Sequence, residues 1–346
     1  MIVELRILVA IVLIGLIIWL YIIFQDKKFS SSVSRTKKST VALPGLESLQ
    51  FTHPMALRLQ EHLEKVVIGQ RALVNGLIVS LLAGKHVLVQ SLPGMAKTTA
   101  IKTLAWITGL SFGRVQGTPD LLPSDIVGLE VLDSANHTHL KQWPIFANII
   151  LFDEVNRTTP KVQSALMECM EERQVTIGHQ TVSLPNPFVV FATANPIGSR
   201  GVYDLPEAQL DRFAMSVVLD YPDNEKDILR QSKEQVQFHW DNDIMIGFQT
   251  ISDGIDTVTV DDMCIDMISW IIQKTRQMPD VIIVGCSPRA SKDLLYLAKA
   301  VAYLSWKTAV DKAHILLLMD SVLTHRIVWK KDADSKSVLR DISQTT

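Results

Sequence analysis

The chain has 346 residues, a length that suggests about two domains. Its 34 basic and 36 acidic side chains give a formal net charge of −2, and this balance argues against a protein that binds nucleic acid through its charge. The three cysteines lie far apart in the sequence, which argues against a disulfide framework.

The N-terminal segment predicts a membrane anchor. Residues 7–24 read ILVAIVLIGLIIWLYIIF without a charge, and as a helix they would span about 27 Å, close to the thickness of a bilayer core. A cleaved signal peptide is the alternative, but its apolar region is usually shorter and ends in small residues. The basic residues cluster after the segment, at 27–38. This bias predicts a single-pass protein of the cell inner membrane with its main part in the cytoplasm.

The rest of the chain divides by composition. Residues 1–25 hold the anchor, and the polar, Ser/Lys-rich residues 26–50 predict a flexible linker. In residues 51–222, short apolar runs at 86–90, 149–152, 188–192 and 216–219 alternate with helical patterns. That alternation predicts an α/β domain with a mainly parallel sheet. Residues 223–340 show mostly helical periodicity and predict a second, helical domain.

A phosphate-binding loop is indicated by QSLPGMAKTTA at residues 90–100. The usual pattern G-x-x-x-x-G-K-[ST] requires glycine where this chain has Ser91 and Ala96. Lys97 and Thr98 are present, however, and the loop follows a strand pattern and precedes a helical one. Lysine would reach the β- and γ-phosphates and threonine would bind Mg²⁺. Because glycine only permits backbone shapes, its loss is less damaging than loss of the lysine would be.

Polar residues end the next two predicted strands. The sequence IILFDE delivers Asp153 and Glu154 to a strand end, and FATANP delivers Asn195. Together with the loop, Asp153 is predicted to hold Mg²⁺ through water, and Glu154 to polarise the attacking water. Asn195 would position that water, although a polar residue at this place can also be an ordinary strand-to-turn asparagine.

Two arginines complete the pattern. Arg212 lies in LPEAQLDRF before a predicted strand, and Arg289 lies in GCSPRA at the start of a predicted helix. Each taken alone reads as a surface arginine in an ion pair, and only their context indicates a role in chemistry.

These elements, in this order, resemble the MoxR family of AAA+ ATPases over residues 55–330. The stretches that carry the resemblance are VVIGQ (66–70), TPDLLPSDIVG (118–128), PIFANIILFDEVNR (144–157), PKVQSALMECMEERQVT (160–176), ATANP (192–196), LPEAQLDRF (205–213) and SPRA (287–290). Ala96 is normal for that family, whereas Ser91 and Trp143 stand where the family usually has glycine. The predicted anchor is also atypical of the better-known members.

The resemblance implies an AAA+ α/β core with a small helical lid, and it assigns roles to residues. Asp153 and Glu154 would be the Walker B pair and Asn195 sensor 1. Arg289 would be sensor 2, moving with the lid, and Arg212 an arginine finger that enters the neighbouring subunit's site. The residues that would contact ATP and Mg²⁺ are Gly69, Gln70, Ser91, Pro93, Gly94, Met95, Ala96, Lys97, Thr98, Thr99 and Asp153, with Thr98 and Asp153 serving the metal.

The expected function is ATP hydrolysis that remodels or matures a protein client at a membrane. A finger acting between subunits requires a ring, most simply a hexamer, and the resemblance also implies a partner protein with a von Willebrand factor A domain. No nucleic-acid partner is expected. The alternative function is an assembly scaffold that binds ATP but turns it over negligibly.

Overall fold

The structure is a computed structural model, and it describes residues 43–92, 94–132, 138–141, 144–178, 180–195, 203–219, 221 and 242–345. The predicted membrane anchor at residues 7–24 lies outside these ranges, as does most of the predicted linker. Within the described ranges, no helix is both long and apolar enough to cross a bilayer.

The strands are numbered in chain order, and those of the described residues fall into one large sheet and three small ones. Their bounds are β1 Val87–Ser91, β2 Phe112–Gln116, β3 Leu129–Leu132, β4 Thr138–Lys141, β5 Ile149–Asp153, β6 Gln174–Ile177, β7 Gln180–Ser183, β8 Val189–Ala194, β9 Met215–Leu219, β10 Ile282–Val284 and β11 Val328–Trp329.

The helices surround the large sheet and make up most of the C-terminal part of the chain. Their bounds are α1 Pro54–Glu64, α2 Arg71–Leu82, α3 Lys97–Thr108, α4 Ser124–Val127, α5 Pro160–Glu172, α6 Glu207–Leu210, α7 Asn242–Thr257, α8 Asp262–Arg276, α9 Pro288–Leu304, α10 Lys312–Leu323 and α11 Ser335–Gln344.

The large sheet has the strand order β2-β5-β8-β1-β9, and all of its strands are parallel. Side chains alternate across it: Leu151 and Phe191 belong to the apolar cluster on one face, Ile150 and Phe152 to the cluster on the other. A parallel sheet covered on both faces needs such continuous apolar strands. The predicted α/β fold with a parallel sheet flanked by helices is therefore confirmed.

One strand of this sheet escapes prediction. The four apolar runs in the core correspond to β1, β5, β8 and β9, whereas β2 lies at the edge and alternates between buried and exposed residues. Its exposed members include Arg114 and Gln116, so it lacks the apolar run that marks the other four. The small pairs β3–β4 and β6–β7 are each antiparallel.

Residues 43–50 belong to the folded unit, although their composition predicts a linker through residue 50. Leu46 and Leu49 are buried, and the side-chain amide of Asn75 donates to both of their carbonyl oxygens, at 2.7 and 3.1 Å. Burial of apolar side chains and of paired backbone groups stabilises this segment. The boundary of the linker is thus earlier than its Ser/Lys-rich composition indicates.

The C-terminal helices pack directly on the α/β domain. Helix α10 contacts β9, α9 contacts α2, and their buried residues belong to the same apolar cluster as one face of the sheet. Helix α11 buries Leu339 and Ile342, so the helical part extends past the predicted end at residue 340. The C-terminal helical part also contains the short antiparallel pair β10–β11, which the helical periodicity does not predict.

Candidate active site

A cavity of about 380 Å³ opens where β1, β5 and β8 end, at the carboxyl edge of the sheet. In parallel α/β sheets this edge is the usual place for ligands. The cavity is lined by Ser91, Gly94, Met95, Ala96, Lys97, Thr98, Thr99, Asp153, Glu154, Thr193 and Asn195. Most of the residues predicted to bind a nucleotide therefore come together in one place.

The loop between β1 and α3 has the backbone of a phosphate-binding turn. Gly94 has φ +85° and Ala96 has φ +55°, and α3 begins directly afterwards at Lys97. Position 96 thus uses the left-handed backbone for which the usual pattern selects glycine, and alanine bears it with a single methyl group. The first N–H groups of α3 have no partner within the helix, and they and the helix dipole favour a bound anion.

Lys97 is anchored to the start of the loop. Its Nζ donates to Ser91 Oγ at 2.6 Å and to the Leu92 carbonyl oxygen at 3.2 Å. Burial lowers the pKa of Lys97, while the charges of Asp153 and Glu154 act in the opposite direction. The lysine is therefore a desolvated cation facing two acids, which is suited to holding phosphate oxygens.

Asp153 and Glu154 are held by a buried threonine on the neighbouring strand. The Thr193 hydroxyl donates to Asp153 Oδ1 at 2.6 Å and accepts from the Glu154 backbone N–H at 2.9 Å. Glu154 has a left-handed backbone, with φ +57°. A non-glycine residue in this conformation must be held by its surroundings, and the bond from Glu154 N–H to Thr193 is one such restraint.

Three further polar side chains surround the two carboxylates. Arg114 Nη2 lies 3.1 Å from Asp153 Oδ2, and Arg157 Nε lies 3.2 Å from Glu154 Oε2. The side-chain amide of Gln116 donates to the same Glu154 oxygen at 3.4 Å. Arg157 had no evident role in the sequence pattern, and the structure places it as an ion-pair partner of Glu154.

Asn195 follows β8 and lines the cavity. Its backbone carbonyl accepts a hydrogen bond from the side-chain amide of Asn156 at 3.0 Å, which ties the end of β8 to the turn after β5. Thr98 and Asp153 both line the cavity as well, and a hydroxyl with a carboxylate is the oxygen donor set that Mg²⁺ prefers. These residues therefore fit the metal that the phosphate-loop pattern implies.

The two predicted arginines lie outside the cavity lining and meet at a third residue. Arg212 Nε lies 2.7 Å from Glu171 Oε2, and Arg289 Nη2 lies 2.5 Å from Glu171 Oε1. Glu171 is near the end of α5, Arg212 is the second residue after α6, and Arg289 is in the first turn of α9. Arg289 is not among the described residues that line the cavity of its own chain.

A polar network fixes this meeting point between the core and the C-terminal helices. Ser287, which caps α9, donates to both carboxylate oxygens of Asp211 at 2.7 and 2.9 Å. The buried Arg326 donates to Asp293 at 2.6 Å and to the Phe213 carbonyl oxygen at 2.9 Å. Burial raises the pKa of Asp293, but nearby cations, Arg326 among them, lower it by more. The net pKa of Asp293 is therefore below its usual value.

Two of the predicted nucleotide contacts that the structure describes are not among the residues that line the cavity. Gly69 and Gln70 lie in the turn that leads into α2, where Gly69 has φ +71° and Gln70 is the N-cap residue. Pro93 lies outside the described residues.

The sequence patterns missed Thr193, Arg114 and Glu171. Thr193 lies two positions before Asn195, so strand alternation could have placed both side chains on one side of β8. Arg114 and Glu171 are exposed by pattern, and only the fold reveals what they contact.

Comparison with known families gives two matches. Residues 86–215 match the model of the ATPase family associated with various cellular activities (AAA), and residues 278–345 match the AAA lid domain. The first match includes the loop, both carboxylates and Arg212. The second includes Arg289 and Arg326.

Individual proteins resemble the chain over most of its length. YeaC of Bacillus subtilis is 37% identical over 84% of this chain and 93% of its own length. The chaperone MoxR1 of Mycobacterium tuberculosis is 35% identical over 81% of this chain and 77% of its own. A crystal structure of a candidate ATPase from Cytophaga hutchinsonii is 34% identical, with a TM-score of 0.75 over 84% of this chain and 96% of that one.

Proposed function

We propose that this chain, which belongs to the MoxR family of AAA+ ATPases, hydrolyses ATP and uses the energy to remodel or mature a client protein at a membrane. One observation carries the hydrolytic part of the proposal. Lys97, Asp153 and Glu154 line a single cavity at the N-terminus of α3, with backbone N–H groups, a cation and two carboxylates in one place.

Each residue has a role that follows from its chemistry. Lys97 and the first N–H groups of α3 bind the phosphates, because both present positive charge to the same space. Glu154 orients and polarises a water molecule for attack on the γ-phosphate, and Asn195 positions that water. Thr193 keeps both acids in place through its hydroxyl group.

Mg²⁺ is the expected metal. The Thr98 hydroxyl and the Asp153 carboxylate would hold it, the latter through water. When bound, it neutralises charge on the phosphate oxygens. Arg114, which pairs with Asp153, moderates the negative charge of this acid.

The two arginines support action between subunits. Arg212 and Arg289 lie together and do not line their own chain's cavity, so they would serve a neighbouring site in a ring. An arginine supplied by a neighbour is worth about 10³–10⁵ in rate for related phosphoryl transfers. A hexamer is the proposed assembly.

The proposals of a client and a partner are argued from similar proteins and not from the geometry of the site. MoxR1 is named a chaperone, and a remodelling or maturation function for this chain is proposed from that relationship. A partner with a von Willebrand factor A domain is proposed from the family resemblance. Purification of a Glu154→Gln variant from membranes tests both: recovery of neither a client nor such a partner would count against this part.

Residues 7–24 support a location at the inner face of a membrane, with the ATPase domain in the cytoplasm. Their hydropathy and the basic residues after them carry this proposal. Removal of residues 1–25 should release the protein from sedimented membranes, and alkaline carbonate should leave the full chain bound. Extraction of the full chain by carbonate would contradict the anchor.

A scaffold that binds ATP with negligible turnover is the second candidate. Two contacts favour it, because Ser91 holds Lys97 and Arg157 holds Glu154. Slow turnover combined with tight ATP binding, and no response to Arg212→Ala, would select the scaffold.

Phosphate release by the purified full-length protein, at high concentration with Mg²⁺ and ATP, separates these functions. Wild type should exceed Lys97→Ala and Glu154→Gln by at least about 100-fold, which is the lower range for loss of a catalytic base. Glu154→Gln should retain ATP binding, whereas Lys97→Ala should lose most of it. Equal rates for the three proteins would rule out hydrolysis as the function.

A further inference from the structure

The carboxylate of Glu171 is shared between the two arginines proposed to act on the neighbouring site. One oxygen contacts Arg212 at 2.7 Å and the other contacts Arg289 at 2.5 Å. The three residues come from α5, the segment after α6 and the first turn of α9, so two parts of the core and one part of the lid converge on a single side chain.

Glu171 contacts Arg212 through Nε and not through a terminal nitrogen. Glu171 engages the Nε atom, which lies on the side of the guanidinium group, and the two terminal nitrogens lie beyond that bond. Terminal guanidinium nitrogens are the ones that pair with phosphate oxygens from the end of the side chain. A contact through Nε therefore fixes the direction of Arg212 without occupying its tip.

The charges explain why a carboxylate is needed at this place. Two guanidinium groups held side by side repel each other, and a negative charge between them offsets that repulsion. The hydrogen bond from Arg212 is the largest cause of a lowered pKa for Glu171, so the carboxyl group is ionised at neutral pH. Asp211 adds a second, weaker acidic contact, 4.0 Å from Arg289 Nη1.

The backbone on both sides of the contact is held in place. Asp211 accepts two hydrogen bonds from Ser287 at the start of α9, and Arg326 donates to the carbonyl oxygen of Phe213. The segment that carries Arg212 is thus fastened to the helix that carries Arg289. Glu171 adds a link between the side chains of Arg212 and Arg289.

We propose that Glu171 is a positioning residue that holds Arg212 and Arg289 side by side and, through its contact with Nε, directs Arg212 toward the nucleotide of the neighbouring subunit. The proposal rests on the proposed ATPase function and adds to it a residue that neither the loop nor the acidic pair identifies. Glu171 contacts no nucleotide; it acts through the arginines.

Steady-state hydrolysis by full-length Glu171→Gln tests the proposal, with Glu172→Gln as the matched control. Glutamine keeps the length of the side chain and removes its charge, and Glu172 is the next exposed residue of the same helix. For Glu171→Gln, kcat should fall by about 10-fold to 100-fold, the scale of a misplaced catalytic group. The KM for ATP should stay within about twofold, because the arginines act on the transition state. Glu172→Gln should match wild type.

Mixed rings show whether the defect lies in the arginines offered to a neighbour. Lys97→Ala subunits have no working cavity but keep both arginines and Glu171, whereas Glu171→Gln subunits keep the cavity. A mixture of the two should therefore hydrolyse ATP faster than the sum of the separate proteins. A mixture that equals the sum overturns the proposal, as does Glu171→Gln with a rate equal to or above that of wild type.

Hydrogen exchange gives a readout that does not need turnover. Exchange should rise at residues 204–213 and at the start of α9 in Glu171→Gln, and not in Glu172→Gln. Unchanged exchange overturns the proposal even where wild type is active. A wild type no faster than Lys97→Ala overturns the proposed function instead, and leaves the exchange result to decide the role of Glu171.

Discussion

Ser91 and Lys97 are joined by a hydrogen bond of 2.6 Å from Nζ to Oγ, so that the residue in place of the usual first glycine holds the lysine of the loop. Phosphate oxygens must compete with this hydroxyl for the ammonium group. Ser91→Gly and Ser91→Ala should therefore bind ATP about threefold to tenfold more tightly, which corresponds to less than about 1.4 kcal/mol. Calorimetry in a Glu154→Gln background measures this without hydrolysis. Weaker binding by either variant would show instead that the hydroxyl shapes the loop for its ligand.

Thr193 should be required for turnover but not for folding. Thr193→Val has nearly the same shape and removes both the bond to Asp153 and the acceptor for the Glu154 N–H. We expect kcat to fall by about 10-fold to 100-fold, with a loss of stability of about 1–3 kcal/mol from the unpaired N–H group. Thr193→Ser keeps the hydroxyl and should stay close to wild type. Wild-type turnover by the valine variant would contradict this role.

Gly117 should be intolerant of any side chain. A Cβ atom at this position would lie 2.3 Å from the Glu154 carbonyl oxygen and 2.9 Å from that of Asp153. Gly117→Ala must therefore displace the backbone of the acidic pair, and we expect at least about a tenfold loss of kcat.

Gly45→Ala is a suitable control for Gly117→Ala, because the three atoms nearest to its Cβ atom would all belong to the flexible carboxylate of Glu47. Melting temperature and phosphate release should both fall for Gly117→Ala and stay near wild type for Gly45→Ala. Equal effects in the two variants would contradict the predicted clash.

Stability should fall as the pH is lowered from 7.5 to 5. Burial lowers the pKa of His86 to about 4 and that of His325 to about 3, whereas the unfolded chain titrates near 6.5. Below that pH the unfolded state binds more protons than the folded state, so each histidine should remove about 2 kcal/mol from the free energy of unfolding at pH 5.

His86→Gln isolates one of these contributions. The His86 Nδ1 atom accepts a hydrogen bond from the Val190 N–H at 3.0 Å. The buried ring is therefore neutral in the folded protein, with Nδ1 unprotonated. Urea unfolding at pH 7.5 and at pH 5 gives the free energy of unfolding that each protein loses between these two pH values. This loss should be about 2 kcal/mol smaller for His86→Gln than for wild type. An identical pH dependence in the two proteins would contradict the assignment.

The sequence predicts those parts of the site whose residues are adjacent in the chain. The loop after β1 and the acids after β5 are short stretches, and their residue types report a strand, a turn and a charge in order. Ala96 is an example, since its left-handed backbone is the one that the glycine of the usual pattern would adopt. Strands buried on both faces are equally visible, because each is a continuous apolar run.

Contacts between distant segments could not be predicted in this way. The helical pattern places Glu171 opposite the apolar side of α5, which correctly indicates exposure but reveals nothing about Arg212 and Arg289. The sequence pattern does not predict strand β2, because Arg114 and Gln116 interrupt its apolar residues. Residues 43–50 were missed because two buried leucines are a weak signal beside a polar linker.

The active centre proposed for the ring consists of two halves that differ in how they respond to ionic strength. The bonds of Lys97 and Thr193 lie in a desolvated cavity, where dissolved ions screen weakly. Glu171 and its two arginines are 31–39% exposed, and an exposed ion pair weakens as salt shortens the Debye length from about 10 Å at 0.1 M to about 3 Å at 1 M. Added salt should therefore loosen the contacts of Glu171, which a subunit lends to its neighbour, before it disturbs the bonds of Lys97 and Thr193, which the subunit keeps for itself.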